Sequence, residues 1–288
     1  MLQGVDYRNS WIVAVDRAER HVPLWGLLLY GVGVFAAAWF AAQASVPLAM
    51  DAAGEAVGSV AAAVFFAVLL AGGLVGSRLV ERRAALEPTR SGRRLGLGLT
   101  VGAAALAAAV GLCATAGVLE SGEGVRGAAA GLAASTALIL LGAVAEEAFF
   151  RGWLQPVLSA RLGPWIGVGV TALLFSSAHL IGQAFSGTAL LNGVLAGTVF
   201  GVLALRTASL AAPVAAHFAW NWLEIVGLGL FPNPGVDALG ALADFELAGS
   251  ALWTGGAPGL NGSLATTIAL GLACAGLILP VLPGLGRR

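Results

Sequence analysis

Long apolar runs, separated by short polar stretches, fill almost the whole chain. Eight of these runs are long enough to cross the roughly 30 Å hydrocarbon core of a bilayer at about 1.5 Å per helical residue. The predicted spans are 22–46, 57–77, 95–119, 127–150, 164–183, 187–205, 207–230 and 263–283. Because a helix satisfies its own backbone polar groups in lipid, the pattern predicts an all-α, polytopic membrane helix bundle of about eight transmembrane helices.

The distribution of arginine predicts how the bundle is oriented. With eight spans both termini lie on the same side of the membrane, and that side holds fourteen of the fifteen arginines, whereas the other side holds only Arg126. Since basic loops stay in the cytoplasm, both termini are predicted to be cytoplasmic. The longest outer connection, at about 231–262, is expected to be either a simple connector or a lid over the outer face.

Composition narrows the class of protein further. Hydrophobic residues make up 58% of the chain and charged residues 10%, and the mean hydropathy is +0.89. Soluble domains carry about 25% charged residues, so we interpret residues 1–288 as a single integral membrane domain in contact with the lipid bilayer. The net charge is zero, and no glycine-rich phosphate loop follows a strand pattern. We therefore expect neither nucleic acid nor a nucleotide as a partner.

The choice of residues also hints at the type of cell. All fifteen basic residues are arginine, and alanine and glycine are used heavily, which is typical of a GC-rich, bacterial genome. We therefore expect a multi-pass protein of the bacterial cytoplasmic (inner) membrane. The two cysteines, Cys113 and Cys274, fall inside apolar runs, and we interpret them as small core residues.

Three groups of polar side chains interrupt the apolar helices. They are Glu146 and Glu147 with Arg151, His179 with Phe175, and His217 with Asn221. An ionisable group at membrane depth is costly unless it is paired or hydrated, so such groups usually serve a function. Taken singly, His217 or Asn221 could merely bond a neighbouring helix. All three groups together favour an active site.

Helix geometry separates the two glutamates. Residues four apart share a helix face, so Glu147 and Arg151 are predicted to form an ion pair. Glu146 is rotated by about 100° from its neighbour and lacks that partner, which leaves it available as a general base. Glu146 with His179 would activate a water, and His217 with Asn221 would donate hydrogen bonds to the developing oxyanion. These are the parts needed to hydrolyse an amide without a covalent intermediate.

The same residues form three short motifs in a recognisable order. EExxxRG spans Glu146 to Gly152, FxxxH joins Phe175 to His179, and HxxxN joins His217 to Asn221. This set resembles the CPBP family of intramembrane proteases, which comprises CAAX prenyl protease type II and bacteriocin-processing, abortive-infection-like proteins. The resemblance implies an endopeptidase with a motif-bearing core at about 127–230. Its substrate would be a membrane-associated protein or peptide, cleaved in C-terminal or bacteriocin-type processing.

The resemblance also assigns roles to the motif residues. In the family, the first glutamate and the second-motif histidine are held to activate water, and the third-motif residues to stabilise the oxyanion. Carried over, Glu146 and His179 are the water-activating pair, and His217 and Asn221 form the oxyanion site. The supporting residues are then Glu147, Arg151 and Phe175.

A metal ion is an open alternative for this site. Two histidines and one glutamate can hold zinc while leaving an open position, and the ligands would be Glu146, His179 and His217. However, HExxH is absent, and a ligating Glu146 would leave the water without a base. We therefore expect no required cofactor, with zinc as the alternative. Trp220 and Trp222 are candidates for lining a hydrophobic substrate groove, although interfacial tryptophan belts also account for them.

Two other functions fit part of the pattern. A proton-coupled membrane transporter also uses buried carboxylates and histidines, but it should show paired halves with interrupted helices. Here the polar groups cluster in one half of the chain. A non-catalytic membrane immunity protein should lack one of the motif residues, and none is missing.

One expectation opposes a common site. Measured from the predicted cytoplasmic ends of the spans, Glu146 is shallow, whereas His217 is about 15 Å deep and His179 deeper still. A shared site requires the fourth helix to continue past Arg151, or the helices to tilt.

Overall fold

A computed structural model describes residues 23–53, 56–79, 91–122, 127, 129–181, 185–230 and 239–279. Its helices are α1 (Leu24–Ala53), α2 (Val57–Leu79), α3 (Ser91–Thr115), α4 (Ala129–Phe149), α5 (Gln155–Leu162), α6 (Pro164–Ala178), α7 (Gly187–Thr207), α8 (Ala211–Trp222), α9 (Ala251–Thr254) and α10 (Leu264–Ile278). One-turn π-helices follow α4 and α8, at Phe150–Leu154 and Leu223–Gly227. A 3₁₀-helix covers Gly259–Gly262, and two strands, β1 (Leu119–Ser121) and β2 (Phe245–Leu247), form an antiparallel pair.

A helix covers most of each predicted span, so the all-α membrane bundle is confirmed in its architecture. Five helical segments of the described residues are long and apolar enough to cross a membrane: Leu24–Met50, Val57–Arg78, Gly92–Thr115, Ala129–Leu162 and Gly187–Thr207. Pro164–Ala178 and Leu264–Ile278 are apolar but shorter. The count of eight spans and the side of the termini stay predictions, and several arginines behind them, such as Arg8 and Arg126, lie outside the described residues.

The fourth span does not end at residue 150, as the sequence predicted. The helix continues from α4 through the first π-helix into α5, so that Ala129–Leu162 forms one apolar segment of 34 residues. Pro156 does not stop it, because the π-helix just before it already interrupts the regular hydrogen bonds, and the Gly152 carbonyl, which residue 156 would otherwise bond, accepts from Ser77 Oγ at 3.3 Å. Arg151 therefore lies inside the helix, fully buried. Arg151 is therefore not a loop charge. The remaining arginines still lie almost all on the predicted cytoplasmic side.

Each helix that carries a polar motif packs on at least two others: α4 on α2 and α8, α6 on α5 and α7, and α8 on α3, α4 and α7. α2 packs on α4 and α1 on α2, while α3 packs along α8 and α10 packs on α7 and α3. The contact between α3 and α8 depends on two glycines four residues apart. A Cβ added at Gly98 would meet the carbonyl oxygen of Ala212, and one added at Gly102 would meet that of Ala216. Small residues let the backbones approach this closely. His217 lies on α8 too, directly after Ala216.

We expect Gly98→Ala to destabilise the bundle by separating α3 from α8. Its Cβ would also lie 2.8 Å from the Ala215 Cβ, and overpacking of this kind costs about 1–3 kcal/mol. The midpoint of thermal unfolding in detergent should fall by several degrees. Gly96→Ala is the matched control, because a Cβ at Gly96 on the same helix meets nothing within 4 Å. Equal midpoints for the two variants would contradict the close α3–α8 contact.

The strand pair joins two connections that the predicted topology places on the same outer side. Leu119 pairs with Leu247 and Ser121 with Phe245. Beyond β2, the chain is tied to α7, because the Asn192 amide donates to the carbonyl oxygens of Asn261 and Ser263, both at 2.9 Å. The described part of this connection, 239–262, is therefore folded against the bundle. Neither the strands nor this attachment was anticipated from sequence.

Candidate active site

The turn between α5 and α6 brings the first two motifs to the same height. Gly163 forms this turn with φ of +89°, a conformation that favours glycine. Glu146 lies 17 residues before Gly163, and His179 lies 16 residues after it. The two helices joined by this turn are antiparallel, and Glu146 and His179 are nearly the same number of residues from it. Both side chains therefore lie about 24 Å from the turn. The extension of α4 into α5 thus removes the mismatch in depth that the predicted span limits produced.

The Glu147 carboxylate joins two of the motifs in the protein interior. Its Oε1 accepts a hydrogen bond from Arg151 Nη1 at 2.9 Å and lies 3.0 Å from His217 Nδ1. The side chains of Glu147 and Arg151 are fully buried, and that of His217 is 7% exposed. The predicted Glu147–Arg151 ion pair is confirmed. Its contact with His217 was not predicted, and it makes Glu147 the residue that orients this imidazole.

Arg151 and Gln155 together fix the register between this helix and α7. Arg151 Nη2 donates to the Gly197 carbonyl and Gln155 Nε2 donates to the Gly201 carbonyl, both at 3.0 Å. Arg151 and Gln155 are four residues apart, and so are Gly197 and Gly201. The two hydrogen bonds therefore lie one helical turn apart. Gln155 was missed by the sequence analysis, although its position four residues after Arg151 on an apolar helix was an available signal.

Two imidazoles face the Glu146 carboxylate. The Nε2 atoms of His179 and His217 each lie 3.8 Å from Glu146 Oε2. This distance is too long for a hydrogen bond but leaves room for a bridging water. Within the described part of the chain, Glu146 Oε2 is buried and has no hydrogen-bond partner. The oxygen is therefore placed to bind a small polar molecule that also contacts the histidines.

The partners of the two Nδ1 atoms set the tautomer of both imidazole rings. His179 Nδ1 lies 2.8 Å from the Phe175 carbonyl oxygen, which can only accept, so this nitrogen carries the proton. The same argument applies to His217 Nδ1 beside the Glu147 carboxylate. In the neutral rings, Nε2 then presents a lone pair toward Glu146 Oε2. Three acceptors converge on one point, and a water there can donate a hydrogen bond to two of them at a time.

Phe175 supports the site through its carbonyl and its ring. α6 ends at Ala178, and the carbonyls of a last turn have no helical partner, so the Phe175 oxygen is free to hold His179. The Phe175 ring centroid lies 4.5 Å from Arg151 Cζ, a cation–π contact. On the other side, the Phe200 ring stacks on His217 with centroids 4.8 Å apart. Both histidines are thus held in place by a phenylalanine neighbour.

A cavity of about 130 Å³ opens beside these groups, and we call it the first cavity. Its lining includes Glu146, His179, His217, Asn221 and Trp220. The structure therefore brings together all the predicted catalytic side chains and one of the two tryptophans. Trp222 lies elsewhere, since its Nε1 donates to Thr136 Oγ1 at 2.9 Å and it does not line this cavity. The roles of these residues stay predictions.

A network of hydrogen-bonded polar side chains forms part of the wall of the first cavity. Asn261 Nδ2 donates to Glu224 Oε1 at 2.9 Å, and Trp220 Nε1 donates to Glu224 Oε2 at 3.1 Å. Asn192 holds the backbone of the same segment, as described above, and accepts from Thr267 Oγ1 at 2.7 Å. Asn192 and Asn261 were not identified from sequence. Asn261 follows a turn-rich connection, and nothing in its neighbours indicates that it reaches the helices.

The donor atoms of the site are chemically suited to zinc, but their spacing is wide. Two bonds of about 2.1 Å in a tetrahedral site separate donor atoms by about 3.4 Å, against the 3.8 Å observed here. Across the described ranges, no group of three or more His, Cys, Asp or Glu side chains is arranged to hold a metal ion. Holding zinc would require Glu146 and the histidines to move closer together.

Part of the chain matches a known protein family. Residues 128–223 match the family model described as Type II CAAX prenyl endopeptidase Rce1-like. This segment is a third of the chain, and it contains every motif residue from Glu146 to Asn221. No curated protein and no solved structure matches the chain.

Proposed function

We propose that the protein is an intramembrane endopeptidase, because residues 128–223 match the Rce1-like type II CAAX prenyl endopeptidase family model, in agreement with the CPBP resemblance. It hydrolyses a peptide bond in a membrane-associated protein or peptide with a water activated by Glu146 and His179. One observation carries the proposal: Glu146 Oε2 lies 3.8 Å from two imidazole Nε2 atoms at the edge of a cavity.

The geometry supports a simple path for the proton. A water between Glu146 Oε2 and His179 Nε2 donates one hydrogen bond to each, so its oxygen lone pairs point toward the cavity. As the water oxygen attacks the substrate carbonyl carbon, Glu146 takes its proton as general base. The same proton then passes to the leaving amine nitrogen while the C–N bond breaks. The products are a new carboxyl end and a new amine end.

His217 and Asn221 have the complementary role at the carbonyl oxygen. With Nδ1 held 3.0 Å from the Glu147 carboxylate, His217 turns Nε2 toward Glu146 and the cavity, and a protonated Nε2 there would donate to the oxyanion. The Asn221 amide, one turn further along α8, lines the same cavity. Together they supply donors for the oxyanion, which is where preorganised charge lowers a barrier most.

The proposal extends to location and substrate type. The predicted topology places both termini in the cytoplasm of a bacterial cell, with the protein in the inner membrane. A bacterial source argues against a prenylated substrate, so we propose C-terminal or bacteriocin-type processing of an unmodified chain. The buried position of the site inside apolar helices supports cleavage within or beside the bilayer.

We expect the reaction to proceed without a metal ion. A zinc ion, if bound by Glu146, His179 and His217, would supply Lewis-acid activation of the water. Glu146 would then be a ligand, and the water would have no separate base. Purified protein should therefore contain far less than one zinc per chain and keep its cleavage rate after dialysis against a strong chelator. Loss of activity on dialysis, with recovery on adding zinc, would establish the metal alternative.

The function itself is tested by comparing membranes from two strains. One strain carries the wild-type protein and the other carries Glu146→Gln at equal abundance, and mass spectrometry reads the termini of every membrane protein. A protein or peptide that stays uncleaved only in the variant strain establishes the protease and identifies its substrate. If all termini are the same, the protease proposal fails, and transport becomes the function to test.

A further inference from the structure

A second cavity, which we call the lateral cavity, lies between α1, α2 and the catalytic candidates. Its volume is about 270 Å³. Glu146, His179 and Phe66 line both this cavity and the first cavity. The two spaces therefore meet at the Glu146 carboxylate, with the Phe66 ring from α2 between them. A substrate that reaches Glu146 has room to extend in two directions.

One polar side chain stands in the wall that α1 and α2 give to the lateral cavity. That wall is otherwise built from apolar side chains and glycine, among them the rings of Phe35, Trp39 and Phe65, and the exception is Gln43 on α1. Gln43 is exposed, and no described residue makes a side-chain hydrogen bond with its amide. Because this side chain is exposed at the cavity wall, its donors and its acceptor are available to a molecule bound there. Packing of the bundle gives no reason for this residue.

We propose that Gln43 binds the peptide backbone of the substrate on one side of the scissile bond. A peptide strand in an apolar cavity brings N–H and C=O groups that need partners. The glutamine amide offers two donors and one acceptor, so it can satisfy both kinds of group. A lipid acyl chain would fill an apolar cavity but has no use for an amide. The occupant that fits this wall is therefore a peptide with apolar side chains, packed against the rings of α1 and α2.

The inference rests on the proposed function and gives the substrate a direction. The chain on one side of the scissile bond lies in the lateral cavity along Trp39 and Gln43. The chain on the other side lies in the smaller first cavity, beside Trp220 and Asn192. Between the two, the carbonyl group passes Phe66 and is presented to the water at Glu146.

The test measures cleavage of the substrate that accumulates in the Glu146→Gln strain. Gln43→Leu keeps the size of the side chain and removes the amide, so KM should rise about 3- to 10-fold for one or two lost hydrogen bonds, with kcat little changed. Phe40→Leu is the control, because Phe40 is 71% exposed on the same helix and lines neither cavity. It should leave KM unchanged. Thermal unfolding of both variants should match the wild type.

A backbone contact gives a second, more specific readout. In synthetic substrates, one peptide bond at a time near the scissile bond is replaced by an ester, which removes one N–H donor. At one position the ester should raise KM for the wild-type enzyme but have no further effect on Gln43→Leu. An ester effect that is equal in both enzymes at every position would overturn the backbone contact.

The outcomes separate this inference from the proposed function. If a substrate is cleaved and Gln43→Leu has a wild-type KM, the protease stands and the Gln43 site is wrong. If photo-crosslinking from position 43 in native membranes labels phospholipid rather than that substrate, the occupant is wrong. If no protein accumulates uncleaved in the Glu146→Gln strain, both proposals fall together.

Discussion

Glu146→Gln is expected to abolish proteolysis while the protein still accumulates in the membrane. The substitution keeps the size of the side chain and one acceptor oxygen but removes the group that takes the proton from water. Loss of a general base lowers kcat by about 10²–10⁴-fold. The measurement is single-turnover cleavage of the identified substrate by purified protein, with thermal unfolding recorded on the same samples.

The matched control for this prediction is Glu120→Gln. Glu120 lies on β1, is exposed, and lines neither cavity, so its loss should leave both cleavage and stability at wild-type values. His179→Ala and His217→Ala should resemble Glu146→Gln, because each removes an Nε2 atom that faces the same carboxylate oxygen. Normal cleavage by Glu146→Gln would exclude Glu146 as the base, and the water would have to be activated by another group.

The local part of this site could be predicted from sequence because it depends on the spacing within one helix. Glu147 and Arg151 are four residues apart, and the ion pair follows from helix geometry alone. The contacts between helices could not be predicted in this way. Glu147 also meets His217, seventy residues later, and this contact depends on how α4 and α8 pack.

The predicted end of the fourth span shows why hydropathy misplaced the site. The predicted span 127–150 ends just before Arg151, because an arginine without a partner is costly at membrane depth. In the structure its charge is neutralised inside the protein by Glu147, so the helix continues through the π-helix Phe150–Leu154 to Leu162. Hydropathy scores each residue separately, so it does not register that Glu147 neutralises Arg151 and that the span can continue. The attachment of Asn261 is hidden for a related reason, since it depends on a distant Glu224.

The orientation of His217 connects stability with catalysis. Glu147 Oε1 is shared between Arg151 Nη1 and His217 Nδ1, so a change in one contact alters the other. The arginine holds the carboxylate in place, and the carboxylate holds the imidazole toward Glu146. A purely structural ion pair would not need the third partner.

Arg151→Met is therefore expected to lower both stability and cleavage. The substitution leaves the Glu147 carboxylate fully buried without its cation, and breaking a buried ion pair costs about 3–5 kcal/mol. The variant should accumulate poorly and unfold at a clearly lower temperature in detergent. Arg161→Met is the control, because Arg161 is exposed near the end of α5 and its loss should have little effect.

The double variant Glu147→Gln with Arg151→Met separates the two roles. Removing both charges takes away the unpaired carboxylate, so accumulation and the unfolding temperature should recover much of the loss. Cleavage should stay low, because a neutral amide in place of the Glu147 carboxylate makes a weaker hydrogen bond to His217 Nδ1 and holds Nε2 less firmly toward Glu146. Recovery of both properties would show that Glu147 serves stability alone. Recovery of neither would show that the other Arg151 contacts, to the Gly197 carbonyl and the Phe175 ring, hold this region together.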